Sequence, residues 1–319
     1  MLLNFIWLIL GFIILIYGAN KLVDGGAALA FRLNIPNIVI GLTVVAFGTS
    51  TPELVVNLFS SAEKQSELAL GNVLGSNIFN ILGILGITAL ISPIAVKKAT
   101  TWVEVPLALL AAFLILIMFG DNHWPTPTPY IISRTEGIVL LCFFVLFIAY
   151  TLMLAKKGEA EEIKIKNYTI GKSLFWILIG LVGLIIGGRL LVKGAVQIAE
   201  SLGISQRIIA ITIVSIGTSL PELATSLVAA RKKNVDMAIG NVVGSNIFNT
   251  FLILGVSALI SPIHMSMANL PDIGMNLLSA LLLFVFIFTG RGRQIERWEG
   301  SIFLFLYISY ICLLYTSDA

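Results

Sequence analysis

Charged residues are scarce in this sequence. Only 12% of its 319 residues are Asp, Glu, Lys or Arg, whereas 58% are hydrophobic and the mean hydropathy is +0.99. A soluble domain carries charge at about 25% of its positions. The scarcity of charge therefore excludes a soluble domain, and we expect an integral membrane protein without a nucleic-acid partner.

Cysteine and histidine are also rare, with two of each. Cys142 and Cys312 lie in apolar segments, where a free thiol behaves as a small apolar residue, so no disulfide framework is predicted. His123 and His264 lie in connections between apolar segments. Zinc, copper and iron sites favour Cys and His ligands, so we expect no such metal centre and no cofactor.

Long apolar segments take the place of charge. Each is continuously apolar, whereas a transmembrane β-strand would alternate over about ten residues, so the segments predict helices. A helix needs about 20 apolar residues to cross a membrane, and ten segments reach that length. They lie near residues 3–31, 36–62, 68–91, 101–120, 135–155, 171–200, 205–230, 237–260, 270–289 and 298–316.

The first span resembles a signal peptide, and the last residues of the chain have an unusual sequence. The first span is expected to be retained rather than cleaved as a signal peptide, because no basic residue precedes Lys21 and the segment has an internal counterpart at 187–199. Residues 312–319 resemble translated read-through of a sequencing adapter, so the natural C-terminus is expected to differ. We assign those residues no function.

Residues 41–94 occur twice. The motif GTSTPE at 48–53 returns as GTSLPE at 217–222, and GNVLGSNIFN at 71–80 returns as GNVVGSNIFN at 240–249, each displaced by 169 positions. Lipid offers no hydrogen bonds, so Gly, Pro and Glu are tolerated at membrane depth only where they line a protected cavity. The paired motifs therefore predict one site built from both halves of the chain.

The repeat unit contains five spans. Because five is odd, the second copy enters the membrane from the opposite side, as in secondary transporters whose substrate site lies between inverted repeats. We therefore predict an all-α integral membrane protein with ten transmembrane helices in two inverted five-helix repeats. The repeats cover 1–155 and 171–319, a cytoplasmic linker covers 156–170, and the ion-site motifs lie at 41–94 and 210–263.

Polar residues are few in the other spans. The first span carries Lys21 and Asp24, which share a helix face and are expected to reach water or to pair at the cytoplasmic end. Spans four and five show no cluster of polar residues. We predict that these two spans are scaffold without a buried polar cluster.

Basic residues are distributed unevenly among the connections between spans. Fourteen lie in connections after odd-numbered spans, and only Lys64, Arg134 and Arg207 lie in connections after even-numbered spans. Basic connections stay in the cytoplasm. The asymmetry predicts a multi-pass protein of the cell membrane with both termini extracellular.

Glu53 and Glu222 occupy matching places in the two motifs, so the repeat is expected to bring their carboxylates together near the bilayer centre. No Lys, Arg or His lies near either motif, and two unpaired buried anions are very costly. A divalent cation is the natural counter-charge. In the alternative, both glutamates are protonated packing groups, and the neighbouring Ser and Asn residues only join helices.

The donors around the glutamates are all oxygen atoms. They belong to freed backbone carbonyls and to the side chains of Thr49, Ser50, Ser76, Thr218, Ser219, Ser245, Asn77, Asn80, Asn246 and Asn249. Oxygen ligands suit hard cations, and Mg²⁺ prefers to keep its waters. The set therefore predicts a Ca²⁺ site, with Na⁺ as the competitor of similar size.

The two copies of G-T-S-x-P-E and G-N-x-x-G-S-N-I-F-N closely resemble the α-repeats of the sodium/calcium exchanger family, and the resemblance covers essentially the whole chain. It implies that helices two, three, seven and eight form the ion site and that helices one and six slide past this core. The potassium-dependent branch carries Asp where this chain has Asn80 or Asn249. K⁺ co-transport is therefore not expected.

The resemblance also implies a ligand set. The glutamates and two threonine carbonyls would bind both ions, four serines and two further carbonyls would bind Na⁺, and two asparagines would complete the central group. In that order the residues are Glu53, Glu222, Thr49, Thr218, Ser50, Ser76, Ser219, Ser245, Ala46, Ser215, Asn80 and Asn249.

The leading hypothesis is a Ca²⁺/Na⁺ antiporter that works by alternating access and normally exports Ca²⁺. One alternative is a Ca²⁺/H⁺ antiporter, although that branch has G-N-x-x-E where this chain has GTSTPE. Another is a cation channel, although inverted repeats favour an occluded site over an open pore. No nucleophile and base are paired in the spans, so an enzyme is not expected. The expected partners are Ca²⁺, Na⁺ and the lipid bilayer, with no obligate protein partner.

Overall fold

A computed structural model of the chain describes residues 2–97, 100–121, 130–157, 166, 168–201, 215–289 and 292–317. The helices that form the predicted spans are, in chain order, Leu2–Arg32, Asn37–Thr49, Thr51–Ala62, Ser66–Ile91, Thr100–Gly120, Arg134–Lys157, Ile170–Ser201, Ser215–Thr218, Leu220–Arg231, Val235–Ile260, Leu270–Phe286 and Arg297–Ser317.

The described residues contain eight helices that are long and apolar enough to cross a membrane, and the bent pair Asn37–Thr49 and Thr51–Ala62 adds a ninth. The predicted seventh span, 205–230, lies partly in residues 202–214, outside the described part of the chain. Its described part comprises Ser215–Thr218 and Leu220–Arg231. The all-α membrane fold predicted from the sequence is confirmed.

The second and seventh spans break at matching residues. Ser50 and Ser219 leave the helical conformation, with φ, ψ of −80°, 7° and −91°, 8°. Pro52 and Pro221 follow two residues later, and proline supplies no N–H for the carbonyl four residues before it. The two parts of the second span meet at 47°. Each break therefore exposes backbone groups in the middle of the membrane, beside a glutamate.

Two short antiparallel sheets lie at opposite ends of the helix bundle. Strand β1 (Ile94–Ala95) pairs with β4 (Gln294–Ile295), and β2 (Ile131–Ile132) pairs with β3 (Ile263–His264). β1 and β4 follow the third and ninth spans, whereas β2 and β3 follow the fourth and eighth. Equivalent connections of the two halves therefore lie at opposite ends, as the inverted repeat requires.

We name the ends of the bundle by their connections. The linker end holds residues 33–36, 94–97, 166 and 232–234, and the far end holds residues 63–65 and 261–266. The third and eighth spans are mostly buried between these ends, whereas few residues of the fifth, sixth and tenth spans are buried. Large exposed apolar faces on a membrane protein are covered by lipid. The two site-bearing helices thus form the centre of the bundle.

The first and sixth spans pack antiparallel, backbone against backbone. Glycines recur every seven residues along both helices, and small residues allow this close approach. A Cβ added at Gly187 would lie 2.5 Å from the Leu15 amide nitrogen, and one at Gly18 would lie 2.8 Å from the Gly180 carbonyl oxygen. No side chain fits at either position without displacement of backbone. The glycines of this seam are Gly11, Gly18, Gly25, Gly180, Gly187 and Gly194.

The fourth and fifth spans are more polar inside than the sequence suggested. Glu104 is fully buried, and its Oε1 atom accepts a hydrogen bond of 2.7 Å from the Tyr150 hydroxyl. The prediction that these spans lack a buried polar cluster did not anticipate this contact. Glu104 and Tyr150 lie 46 positions apart, so their contact depends on how the two helices pack and leaves no local pattern in the sequence.

Candidate cation site

Glu53 and Glu222 lie in the centre of the bundle, and each is 1% exposed. The Oε1 atom of Glu53 accepts hydrogen bonds from Ser219 Oγ at 3.1 Å and Ser76 Oγ at 3.4 Å. The matching atom of Glu222 accepts from Ser50 Oγ at 3.0 Å and Ser245 Oγ at 3.5 Å. Each carboxylate thus receives one serine from its own half and one from the other, so the repeat does bring the predicted residues together.

Asn80 and Asn249 complete the centre of the site, and neighbouring amides fix how they point. Asn80 Nδ2 donates to Asn246 Oδ1 at 2.9 Å, and Asn249 Nδ2 donates to Asn77 Oδ1 at 3.1 Å. Both residues lie at the start of π-helical segments, Phe79–Leu85 and Phe248–Leu254. π-helical turns are rare in proteins, and those that occur are often found at functional sites.

Four buried oxygen atoms at this centre receive no hydrogen bond from the described residues. They are Glu53 Oε2, Glu222 Oε2, Asn80 Oδ1 and Asn249 Oδ1. A buried acceptor without a donor is costly, and a buried charge without a partner is more so. Two carboxylate and two amide oxygens match the ligands of a hard divalent cation in both type and charge. The unpaired atoms come as two pairs related by the repeat, which indicates one shared site.

The remaining predicted ligands lie in the broken helices beside this centre. Thr49 Oγ1 donates to Asn241 Oδ1 at 3.1 Å, and the Ala46 carbonyl accepts the Ser50 amide at 2.9 Å. Thr218 and Ser215 lie in the short helix Ser215–Thr218, before the second break. The ion-binding roles of these backbone carbonyls stay predictions.

Two further asparagines support the glutamates and were not among the predicted ligands. Asn72 Nδ2 donates to the Glu53 carbonyl at 3.3 Å, and Asn241 Nδ2 donates to the Glu222 carbonyl at 3.2 Å. These bonds tie each broken helix to the buried helix beside it. Both asparagines are the second residue of the repeated motif G-N-x-x-G-S-N. Their occurrence in both copies was the signal in the sequence that could have identified them.

A cavity of about 300 Å³ lies beside the site, between the sixth span and the second and seventh spans. Pro52, Thr218, Pro221, Arg189 and Lys193 line it. Pro52 and Thr218 lie on the far-end side of the breaks at Ser50 and Ser219, and Arg189 and Lys193 lie in the far-end half of the sixth span. The cavity therefore extends from the residues beside the site towards the far end of the bundle.

Comparisons with known proteins agree with this geometry. The family model described as sodium/calcium exchanger protein matches residues 3–153 and 172–316. CaxA of Alkalimonas amylolytica is 37% identical over 99% of this chain and 100% of its own length. The sodium/calcium exchanger MaX1 of Methanosarcina acetivorans is 30% identical over 98% of both chains.

A solved structure has the same fold. The structure of the sodium/calcium exchanger from Methanococcus jannaschii matches with a TM-score of 0.83 at 34% identity, and the match covers 98% of both chains. The family model and these relatives each span nearly the whole sequence. The chain belongs to the sodium/calcium exchanger protein family.

Proposed function

We propose that this protein exchanges Ca²⁺ for Na⁺ across the cell membrane by alternating access between the two ends of its helix bundle. The observation that carries the proposal is the group of four unpaired oxygens on Glu53, Glu222, Asn80 and Asn249. The two carboxylates balance the charge of one Ca²⁺. The names of MaX1 and of the Methanococcus jannaschii structure support the same pair of ions.

Exchange follows from the shared carboxylates. Ser50, Ser76, Ser219 and Ser245 each donate a hydrogen to a glutamate, and a hydroxyl oxygen that donates keeps lone pairs for a ligand. These oxygens offer Na⁺ separate places around the same two carboxylates. Because both ions need the glutamates, binding of one opposes binding of the other. Mutually exclusive binding at one site is the basis of antiport.

Ca²⁺ uptake into liposomes tests the function. Purified protein in Na⁺-loaded liposomes should take up radioactive Ca²⁺ only when the Na⁺ gradient points outward. If more than two Na⁺ exchange for each Ca²⁺, net charge crosses the membrane, and an imposed potential should change the rate of uptake. Liposomes loaded with K⁺ are the control and should show no uptake.

Two other results would replace the proposal. Robust Ca²⁺ uptake driven by a proton gradient without Na⁺ would assign the chain to Ca²⁺/H⁺ antiport. Passive Ca²⁺ flux that needs no counter-ion would indicate a channel.

We further propose that the linker end faces the cytoplasm, which places both termini outside the cell, and that the exchanger normally exports Ca²⁺. Lys64 and Lys233 give a matched test, because they occupy equivalent turns with φ of 59° and 60° at opposite ends. In a background without Cys142 and Cys312, Lys233→Cys should react with a membrane-impermeant maleimide only after the cells are permeabilised. Lys64→Cys should react in intact cells. The opposite labelling would reverse the orientation.

A further inference from the structure

An ion pair closes the linker end of the bundle between the first span and the seventh. Lys232 Nζ lies 2.8 Å from Asp24 Oδ1 and donates to the Asn20 carbonyl at 3.1 Å. Lys166 Nζ lies 2.8 Å from Asp24 Oδ2, and this partner raises the pKa of Lys166. The Asp24 side chain is 14% exposed. Asp24 thus pairs with Lys232 and Lys166 rather than with Lys21 on its own helix, and Lys21 Nζ lies 3.8 Å from the centroid of the Trp176 ring.

The repeat gives this ion pair a counterpart with the charges exchanged. The displacement of 169 positions that relates the motifs also maps Asp24 to Lys193 and Glu63 to Lys232. Glu63 and Lys232 cap the ends of the second and seventh spans, with φ, ψ of −85°, 2° and −81°, 6°. The two positions therefore have the same local backbone in opposite halves. On the first span, the acid Asp24 pairs with the base Lys232 of the seventh span. On the sixth span, the base Lys193 has the acid Glu63 of the second span as its equivalent partner.

Lys193 and Glu63 are apart in this structure. Both side chains are exposed, and among the described residues no ion pair of 4.0 Å or less joins them. Lys193 Nζ lies 5.4 Å from the ring centroid of Trp7, and Glu63 Oε2 accepts from Gln65 Nε2 at 2.9 Å. Lys193 lines the cavity of about 300 Å³ on the far-end side of the site. Among the described residues, the ion pair is therefore formed at the linker end, whereas its counterpart at the far end is not.

We propose that Lys193 and Glu63 form a second ion pair, which closes the far end when the Asp24 to Lys232 pair opens. The inference rests on the proposed alternating access. In an inverted repeat, the conformation closed at the far end is the present conformation with the roles of the halves exchanged. The contact that closes one end is therefore replaced by its counterpart at the other end. The two ion pairs are reciprocal latches on the same movement.

Two such ion pairs keep the free energies of the two conformations similar. An ion pair at a partly exposed site changes a two-state population by up to about fivefold. Since each conformation gains one latch and loses the other, neither end is favoured strongly. The ion gradients can then drive the equilibrium in either direction. A single latch at one end would instead bias the carrier towards one conformation by up to about fivefold.

Thiol labelling in the cavity tests the second latch. Val56 lines the cavity, so the rate at which Val56→Cys reacts with an impermeant reagent reports how open the far end is. The background lacks Cys142 and Cys312 and carries Asp24→Asn, which removes the linker-end latch. We expect Asp24→Asn to slow labelling by up to about fivefold, because the conformation closed at the far end becomes more populated.

Charge reversal then identifies the partners. In the Asp24→Asn background, Glu63→Lys and Lys193→Glu should each restore fast labelling, because like charges hold the far end open. The double variant Glu63→Lys with Lys193→Glu should label slowly again, since the pair is re-formed in the opposite order. Lys64→Glu changes charge in the same turn as Glu63 and should have no effect. Cooperative thermal unfolding of each purified variant verifies that it is folded.

A second measurement does not depend on charge. With cysteines at Glu63 and Lys193, an oxidant should form the disulfide faster with Asp24→Asn than with Asp24. The proposal is overturned if the double charge reversal labels as fast as the single reversals, or if neither single reversal changes the labelling rate. It is also overturned if Glu63→Lys restores slow labelling when it is combined with Arg189→Glu instead of Lys193→Glu. No ion gradient is used, so failure of Na⁺-driven uptake would leave this result standing.

Discussion

Glu53→Gln and Glu222→Gln should each lower the affinity for Ca²⁺ by about a thousandfold or more and abolish Ca²⁺ transport. Gln has the shape of Glu and keeps an oxygen that can accept the serine hydrogen bonds, so the fold is retained. What it removes is one of the two charges that face the cation. Two unit charges about 4 Å apart interact by about 4 kcal/mol at an effective dielectric constant of 20, which is about three orders of magnitude in affinity. Calorimetric titration of Ca²⁺ into purified protein measures the loss.

Glu104→Gln is the matched control for these variants. Glu104 is also a fully buried glutamate within a span, but its Oε1 bonds to Tyr150 and it lies outside the site. Its replacement should leave Ca²⁺ affinity within about twofold. Unchanged affinity in both site variants would instead support the alternative in which Glu53 and Glu222 are neutral packing groups.

Gly187→Ala should lower the melting temperature by several degrees and reduce Ca²⁺ uptake at least tenfold. The added Cβ would lie 2.5 Å from the Leu15 nitrogen and 2.8 Å from the Leu15 Cα. Backbone atoms cannot turn aside as a flexible side chain can, so the first and sixth spans must separate along the glycine seam. Overpacking of this kind typically costs about 1–3 kcal/mol. Thermal unfolding in detergent and uptake into liposomes measure the two effects.

Gly171→Ala provides the control on the same helix. A Cβ at Gly171 meets no atom within 4 Å, and alanine favours a helix over glycine by about 1 kcal/mol. This variant should unfold at the same or a higher temperature and keep its uptake. Wild-type stability and uptake in Gly187→Ala would show that close contact between the first and sixth spans is dispensable.

The membrane class, the apolar helices, the internal repeat and the family could all be predicted without the structure. These features follow from patterns along the sequence and do not depend on which helices pack together. Continuous apolar segments identify the spans, and a displacement of 169 positions matches one broken helix to the other. The site motifs were also readable, because Gly, Pro and Glu are expensive at membrane depth unless they serve a protected site. The sequence therefore indicated candidate residues for the site.

Which atoms contact one another could not be predicted without the structure. The serine contacts across the site join residues 166 and 172 positions apart, and the ion pair of Asp24 with Lys232 joins residues 208 apart. Such contacts depend on the packing of distant helices, which local periodicity does not encode. The same holds for Glu104, whose tyrosine partner lies on the next span. The structure also shows that the Nδ2 atoms of Asn80 and Asn249 donate to the Oδ1 atoms of Asn246 and Asn77, which leaves the Oδ1 atoms of Asn80 and Asn249 buried without a donor.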